Sequence, residues 1–486
     1  MAYRHGVYNQ EQDTSLTAPI QSTAGLQVVF GTAPIHLADD PAAAVNKPVL
    51  VYSMPEAQKA LGYSDDFKNF TLCQSMSACF QVFNVAPVVF VNVLDPKNPA
   101  HVTDNPADEY PVSDLQAVYT PKYALLDTMA VKAGGTELTY LTDYLAVHQA
   151  DGTVLITLIS DAAKSATSLT ISGKSLNPSG VTYTDIVGGL DAETGEETGL
   201  ELVRQIYPRL GLVPGILLAP GWSHNPVVAA AIQAKTESIN GNFECGHILD
   251  IPTSGASGAK VYTAAKAAKE SIGATNKHGI AVWPMGMVGE KKYYLSALAA
   301  ALTAYTDANN GDVPYESPSN KMLRITGTCL EDGTEVVLDE EQANLLNGQG
   351  IVTAFNDTGF KLWGNNTAAY PNTTDPKDRW WAVRRFFDWD GNSFILSYKK
   401  KTDKPGNPRL IQSIVDSQNI IGNGYVAKEY CAGYKMAFLA SENPATDLLN
   451  GIMRVHTYMA PYIPAEVIEN TREYDTTALE TALGGE

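Results

Sequence analysis

Two loops carry residue types from which a hydrolase could be assembled. GWSHN (221–225) supplies Ser223 and His224, and LDIPTSG (249–255) supplies Asp250, Thr253 and Ser254. Acyl transfer needs a hydroxyl nucleophile, an imidazole base within hydrogen-bond reach, and a carboxylate that orients the base. Asp250, His224 and Ser254 provide one of each. Both loops follow apolar runs that read as parallel strands, and α/β folds bind ligands at the carboxyl ends of such strands. Against this, no G-x-S-x-G elbow raises a serine onto a strand-to-helix turn. Serine, histidine and aspartate in loops are as readily explained by turn and cap hydrogen bonds.

Other chemistries leave fainter traces. There is no G-x-x-x-x-G-K-[ST] loop and no strand-anchored G-x-G-x-x-G, and GNG at 422–424 reads as a helix-ending turn. The eight histidines are dispersed, without H-x-H or H-E-x-x-H, so no metal or cofactor is expected. Cys73, Cys79, Cys245, Cys329 and Cys431 form an odd, scattered set, which reads as buried free thiols. Trp380, Trp381, Phe386, Phe387 and Trp389 nearly alternate with Val383 and Arg385, which reads as a core-packed strand rather than a ligand platform.

The elements that would position these residues are legible in order. Leu26, Val28 and Phe30 alternate as a strand, and PVLVYS (48–53) is a second. Ser53, Pro55 and Gly62 bracket a short helix. Residues 70–82 have helical spacing, and PVVFVNVL (87–94) is a buried strand. After Asp95 a Pro/Asn/Asp-rich crossing leads into short strands with Gly-Gly and Asp-Gly turns, predicting an inserted β-rich domain over 101–189. Strands at 215–222, 245–252 and 279–287 then alternate with helices, predicting a parallel sheet with right-handed crossovers. Residues 310–342 are loop-rich. Farther on, 409–421 reads as a helix, and 434–440 and 451–461 as strands. The fold class expected is multidomain α/β and α+β: an α/β core (24–100 and 190–344), the insertion, a C-terminal α+β unit (345–464), and polar terminal segments (1–23 and 465–486).

Composition narrows the partners. The 486-residue chain carries 53 acidic against 34 basic residues, a formal charge of −19. That argues against binding nucleic acid through its phosphates. No apolar run approaches the roughly 18–20 residues of a membrane helix, so no membrane insertion is expected. MAYRHGVYNQEQDTSL lacks the apolar core of a signal peptide, and synthesis in the cytoplasm without export by an N-terminal signal is expected.

LLNGQGIVTAFNDTGFKLWGNNT (345–367) resembles the Leu-Asn-x-x-Gly…Gly-Phe-x-x-Trp-Gly-x-x-Thr signature of contractile phage tail sheath proteins. The matching positions are Leu346, Asn347, Gly350, Val352, Gly359, Phe360, Trp363, Gly364 and Thr367. Asn366 stands where that family usually has arginine. YRHGVY, NKPVLVYS and the stretch from TGLELV to ILDIPTS are similar to sheath segments in the same order, leaving only about 101–189 uncovered.

The resemblance implies a structural, non-enzymatic protein that polymerises with itself as stacked hexameric rings around a tail tube. It implies contacts with tube, baseplate and tail terminator proteins, and a place in the tail sheath of a virion or a released phage-tail-like particle. Terminal arms would add strands to neighbouring subunits. Tyr3, His5, Val7, Leu16 and Ile20 are the expected exchange positions at one end, with Val467, Ile468, Thr471 and Tyr474 at the other. A hydrolase using Ser254 and His224, or a non-contractile shell protein, stand as alternatives.

Overall fold

The computed structural model describes residues 23–484. Its centre is an eight-stranded sheet of β1 (Gln27–Gly31), β2 (Val49–Val51), β3 (Val88–Asn92), β4 (Ile216–Leu218), β5 (Gly246–Asp250), β6 (Gly279–Val282), β7 (Ile351–Asn356) and β8 (Phe360–Trp363). The spatial order is β2-β3-β1-β4-β5-β6-β7-β8. The strands from β3 to β7 run parallel, and β2 and β8 close the two edges antiparallel. Strands β1, β3, β4, β5 and β6 are buried throughout, as a parallel sheet covered on both faces requires.

Helix Leu295–Asn309 packs against β1, β4 and β5, and its alanines let it lie close to the strands. Helix Met54–Leu61 starts where expected: Ser53 caps it by accepting from the Glu56 N–H, Pro55 sits in the first turn, and Gly62 ends it.

Between β3 and β4, strands from Val102 to Leu176 form two small antiparallel sheets with their own hydrophobic cluster around Tyr119, Ile156 and Leu169. The stretch 310–342 is less irregular than expected. Gly327–Cys329 pairs with Met285–Val288, and Asn320–Leu323 hydrogen-bonds along the outer edge of β8.

The C-terminal region requires three corrections. The expected boundary at 345 cuts through the central sheet, because β7 pairs with β6 and carries β8. The aromatic run is not a strand but the first part of helix Trp381–Tyr398. GNG does not end a helix; it lies inside Pro408–Ala427, where Gly422 leaves room for the Tyr434 ring, which a Cβ would approach to 2.0 Å. These two helices pack with a ribbon of β9 (Cys431–Ala437) and β10 (His456–Pro461) through Phe386, Trp389, Tyr425 and Tyr434. The two strands depart from the apolar spacing in opposite directions: β9 begins earlier, at Cys431 rather than 434, and β10 later, at His456 rather than 451. A short helix, Ala445–Leu449, lies in their connection.

Candidate assembly site

The residues proposed for hydrolysis do not converge. Ser254 donates to Glu331. Asp250 accepts from Ser223 (3.1 Å) and from the Ser296 N–H (2.9 Å), so it holds the start of helix Leu295–Asn309. Burial pushes its carboxyl up to about 6. His224 stacks on Tyr294, burial lowers its basicity, and its Nδ1 has no hydrogen-bond partner. These side chains do the packing and capping that the plainer reading of the sequence assigned them.

Among the described residues, one trio has metal-ligand chemistry: half-buried Glu244 and buried His278 and Asp388 place ligand atoms within 4.8 Å of one another. Arg384 already occupies it, at 2.6 Å from Asp388 and 3.6 Å from Glu244. Burial raises the Asp388 pKa, but the His278 hydrogen bond (3.0 Å) and Arg384 more than offset this and hold it below the ordinary range. The group is a charge-paired tie between helix Trp381–Tyr398 and the central sheet.

The signature residues do come together, as a scaffold. Leu346 is buried at the end of helix Glu340–Asn347. The Asn347 amide donates to the carbonyls of Ile351 (2.9 Å) and Trp363 (3.0 Å), pinning β7 to β8. Gly350 has φ +68°, and a Cβ there would lie 2.2 Å from the Tyr370 carbonyl. Gly359 and Gly364 flank β8, which begins at Phe360 and ends at Trp363. Thr367 donates its hydroxyl to the Asp378 carbonyl (2.6 Å). Asn366, the departure from the signature, accepts from Arg379 Nε (3.0 Å), so a guanidinium from elsewhere in the chain reaches this position.

The scaffold faces the C-terminal segment. Glu466 meets Asn365 Nδ2 (3.2 Å) and Arg379 Nη2 (3.5 Å). A hollow of ≈ 880 Å³ separates residues 462–468 from Tyr315, Asn344 and Trp363. Val467, Ile468 and Tyr474 stand 75%, 89% and 71% exposed, and Thr471 is exposed with them. Among the described residues no strand forms after Pro461; Thr476–Ala482, within the terminal segment expected to add a strand to a neighbour, is a helix. Tyr3, His5, Val7, Leu16 and Ile20 lie outside the described residues.

Beside this segment, the β9–β10 ribbon has an open side. Asn419 of helix Pro408–Ala427 accepts from the Met436 N–H (2.7 Å) and donates to the Met436 carbonyl (2.9 Å). Its amide imitates a neighbouring peptide and closes the outer side of β9. Met436 faces Thr457 across the ribbon. The Met436 backbone therefore points away from β10, and by antiparallel alternation Thr457 and Met459 point away from β9. Among the described residues, no other strand pairs with that side of β10.

Sequence reasoning missed Asn419, Arg379 and Lys269. Lys269 donates to the carbonyls of Gln349 (2.9 Å) and Tyr370 (3.1 Å), bracing the Gly350 turn, and burial pushes its pKa down to about 8. Only contacts distant in sequence give these residues their roles, so no local signal marks them.

No protein-family model matches the chain. It is 27% identical over 496 residues to the tail sheath protein of Burkholderia phage BcepMu, covering 99% of both chains. It is 36% identical over 306 residues to a putative prophage major tail sheath protein of Pseudomonas aeruginosa strain UCBPP-PA14, covering 61% of this chain and 75% of the relative. Among solved structures, a chain of the PVC sheath complex of an extracellular contractile injection system, in the contracted state, superposes with a TM-score of 0.57 at 15% identity, over 98% of this chain and 99% of the other.

Proposed function

The chain belongs to the tail sheath protein family of contractile tails, and from that premise we propose that it polymerises by exchanging terminal strands between subunits. In this reading it forms stacked hexameric rings around a tail tube, as part of a phage tail or a phage-tail-like particle. It meets copies of itself, the tube, the baseplate and the tail terminator. Contraction then drives the tube through a cell envelope.

The observation that carries the proposal is the open side of β10. A two-stranded ribbon is marginal on its own, and an unpaired edge is a template for another chain. Residues 462–474 make no backbone–backbone hydrogen bond among the described residues, so they are free to be donated. Strand addition supplies main-chain hydrogen bonds that survive rigid-body rotation when the linkers bend. With no nucleotide-binding loop in the sequence, the energy for contraction is stored at assembly.

Removal of 465–486, or of 1–23, is the test. Each truncated chain is expected to remain a folded monomer by circular dichroism and to form no tubes under electron microscopy. Tubes of normal appearance from both truncations would overturn strand exchange.

A further inference from the structure

The two ends of the described chain are held in very different ways. At the N-terminal side, the Ala24 N–H donates to Asp312 Oδ1 (3.2 Å) and its carbonyl accepts from Arg385 Nη2 (3.0 Å). Arg385 also binds Asp307 through Nη1 (3.1 Å). The Arg385 and Asp307 side chains are 3% and 1% exposed, so this pair is sealed from water. Two residues on, Leu26 donates to the Thr23 carbonyl (3.0 Å), and the chain enters β1 in the middle of the sheet. Turning the chain at Ala24 would break its hydrogen bonds to Asp312 and to the buried Arg385, and would disturb the central sheet.

At the C-terminal side, the chain leaves β10 at Pro461 and runs over the ≈ 880 Å³ hollow. Its attachment is the Glu466 carboxylate. Arg379 and Glu466 are 27% and 28% exposed, and a water-screened pair of this kind contributes little to stability. Tyr462 and Ile463, at the start of the segment, are exposed as well. A segment with few buried contacts and no backbone hydrogen bonds opens at low free-energy cost.

We infer that, within the strand-exchange reading on which this rests, the arm roots are mechanically unequal: Ala24 is a fixed mount, and residues 462–468 are the joint that turns when subunits rearrange. Arg379 and Asn365 touch the C-terminal root only through the water-screened Glu466 carboxylate and do not fix its angle. The hollow beside it provides the space through which the root swings.

Asn365→Cys with Glu466→Cys tests this in assembled particles, because all five native cysteines are buried. A short bismaleimide is added after assembly, contraction is triggered with denaturant, and sheath lengths are measured by electron microscopy. The unbridged double variant is expected to assemble and shorten like the parent. Bridging is expected to raise the fraction of long particles surviving the trigger at least tenfold. Bridged particles that shorten normally would refute the joint. So would failure of the double variant to assemble, since the pair would then be an essential mount. If unmodified particles themselves never shorten, the contractile reading falls first, and that outcome is distinct from the other two.

Discussion

Asp390 should weaken the C-terminal module at neutral pH, and replacing it with asparagine should strengthen that module. Among the described residues its carboxylate accepts a hydrogen bond from the Tyr434 hydroxyl alone (3.1 and 3.3 Å), which also accepts from Gln418 Nε2 (2.7 Å). Burial pushes its pKa from 3.8 up to about 7, against a smaller opposing effect of the Tyr434 hydrogen bond. The folded state therefore holds a proton that the unfolded chain releases between pH 3.8 and 7. Stability from this group is complete at low pH and declines as pH rises through that window. Raising the pKa from 3.8 to about 7 corresponds to about 4 kcal/mol once the group is ionised in both states.

Asparagine keeps an acceptor for Tyr434 without the charge. We expect Asp390→Asn to gain about 1–3 kcal/mol at pH 8, less than the full shift because the amide adds a donor that must be satisfied. The gain should vanish near pH 4. Urea unfolding of the chain lacking 465–486, followed by tryptophan fluorescence at both pH values, reads this directly, with Trp389 beside the site in the same cluster. Equal destabilisation at both pH values would refute the reasoning, because ionised Asp390 would then be favourably paired.

Two further outcomes follow from buried charge. Arg385→Met strands Asp307 without its partner and should cost about 3–5 kcal/mol in urea unfolding, whereas Arg385→Met with Asp307→Leu should recover most of the loss. His36 and His148 meet edge to face, with ring centroids 5.2 Å apart, where the insertion packs on the core. Burial pushes His36 down to about 3, with a smaller contribution from His148, and burial lowers His148 too. Tyr63, Asp65, Asp66, Lys122, Tyr123 and Asp151 face the same seam. Both histidines resist protonation when packed, so the seam is at full strength above pH 6.5 and weakens below it, by up to about 1.4 kcal/mol per pH unit for each. Limited proteolysis of the insertion should accelerate between pH 6 and 4 in the parent chain and lose most of that pH dependence in His36→Asn/His148→Asn.

The parallel strands were readable because each is a short apolar run between turn residues, and helix Met54–Leu61 because its caps are local. Helix Trp381–Tyr398 was misread for a physical reason. Arg384, Arg385, Asp388 and Asp390 are all buried in it, so no polar face survives to show the helical period. The Arg384–Asp388 spacing of four residues, which brings the two to 2.6 Å, was the available clue. The signature was legible as a string, but its strands complete a sheet begun more than three hundred residues earlier, and nothing in the string announces that. Asn419 was illegible because an asparagine that imitates a peptide looks like any surface asparagine until its partner is in place.

The edge that Asn419 leaves open is short. Thr457 and Met459 each turn an N–H and a carbonyl outward, while Pro461 has no N–H to offer. A strand added there gains about four main-chain hydrogen bonds, each contributing about 0.5–1.5 kcal/mol net. One such joint is reversible and can be remade in a new orientation. Hundreds closed in parallel are not, because every detached strand remains at high effective concentration beside its vacancy. Under the proposed strand exchange, the brevity of β10 would separate two properties that a single strong interface would bind together: each link could yield, and the polymer as a whole would not come apart.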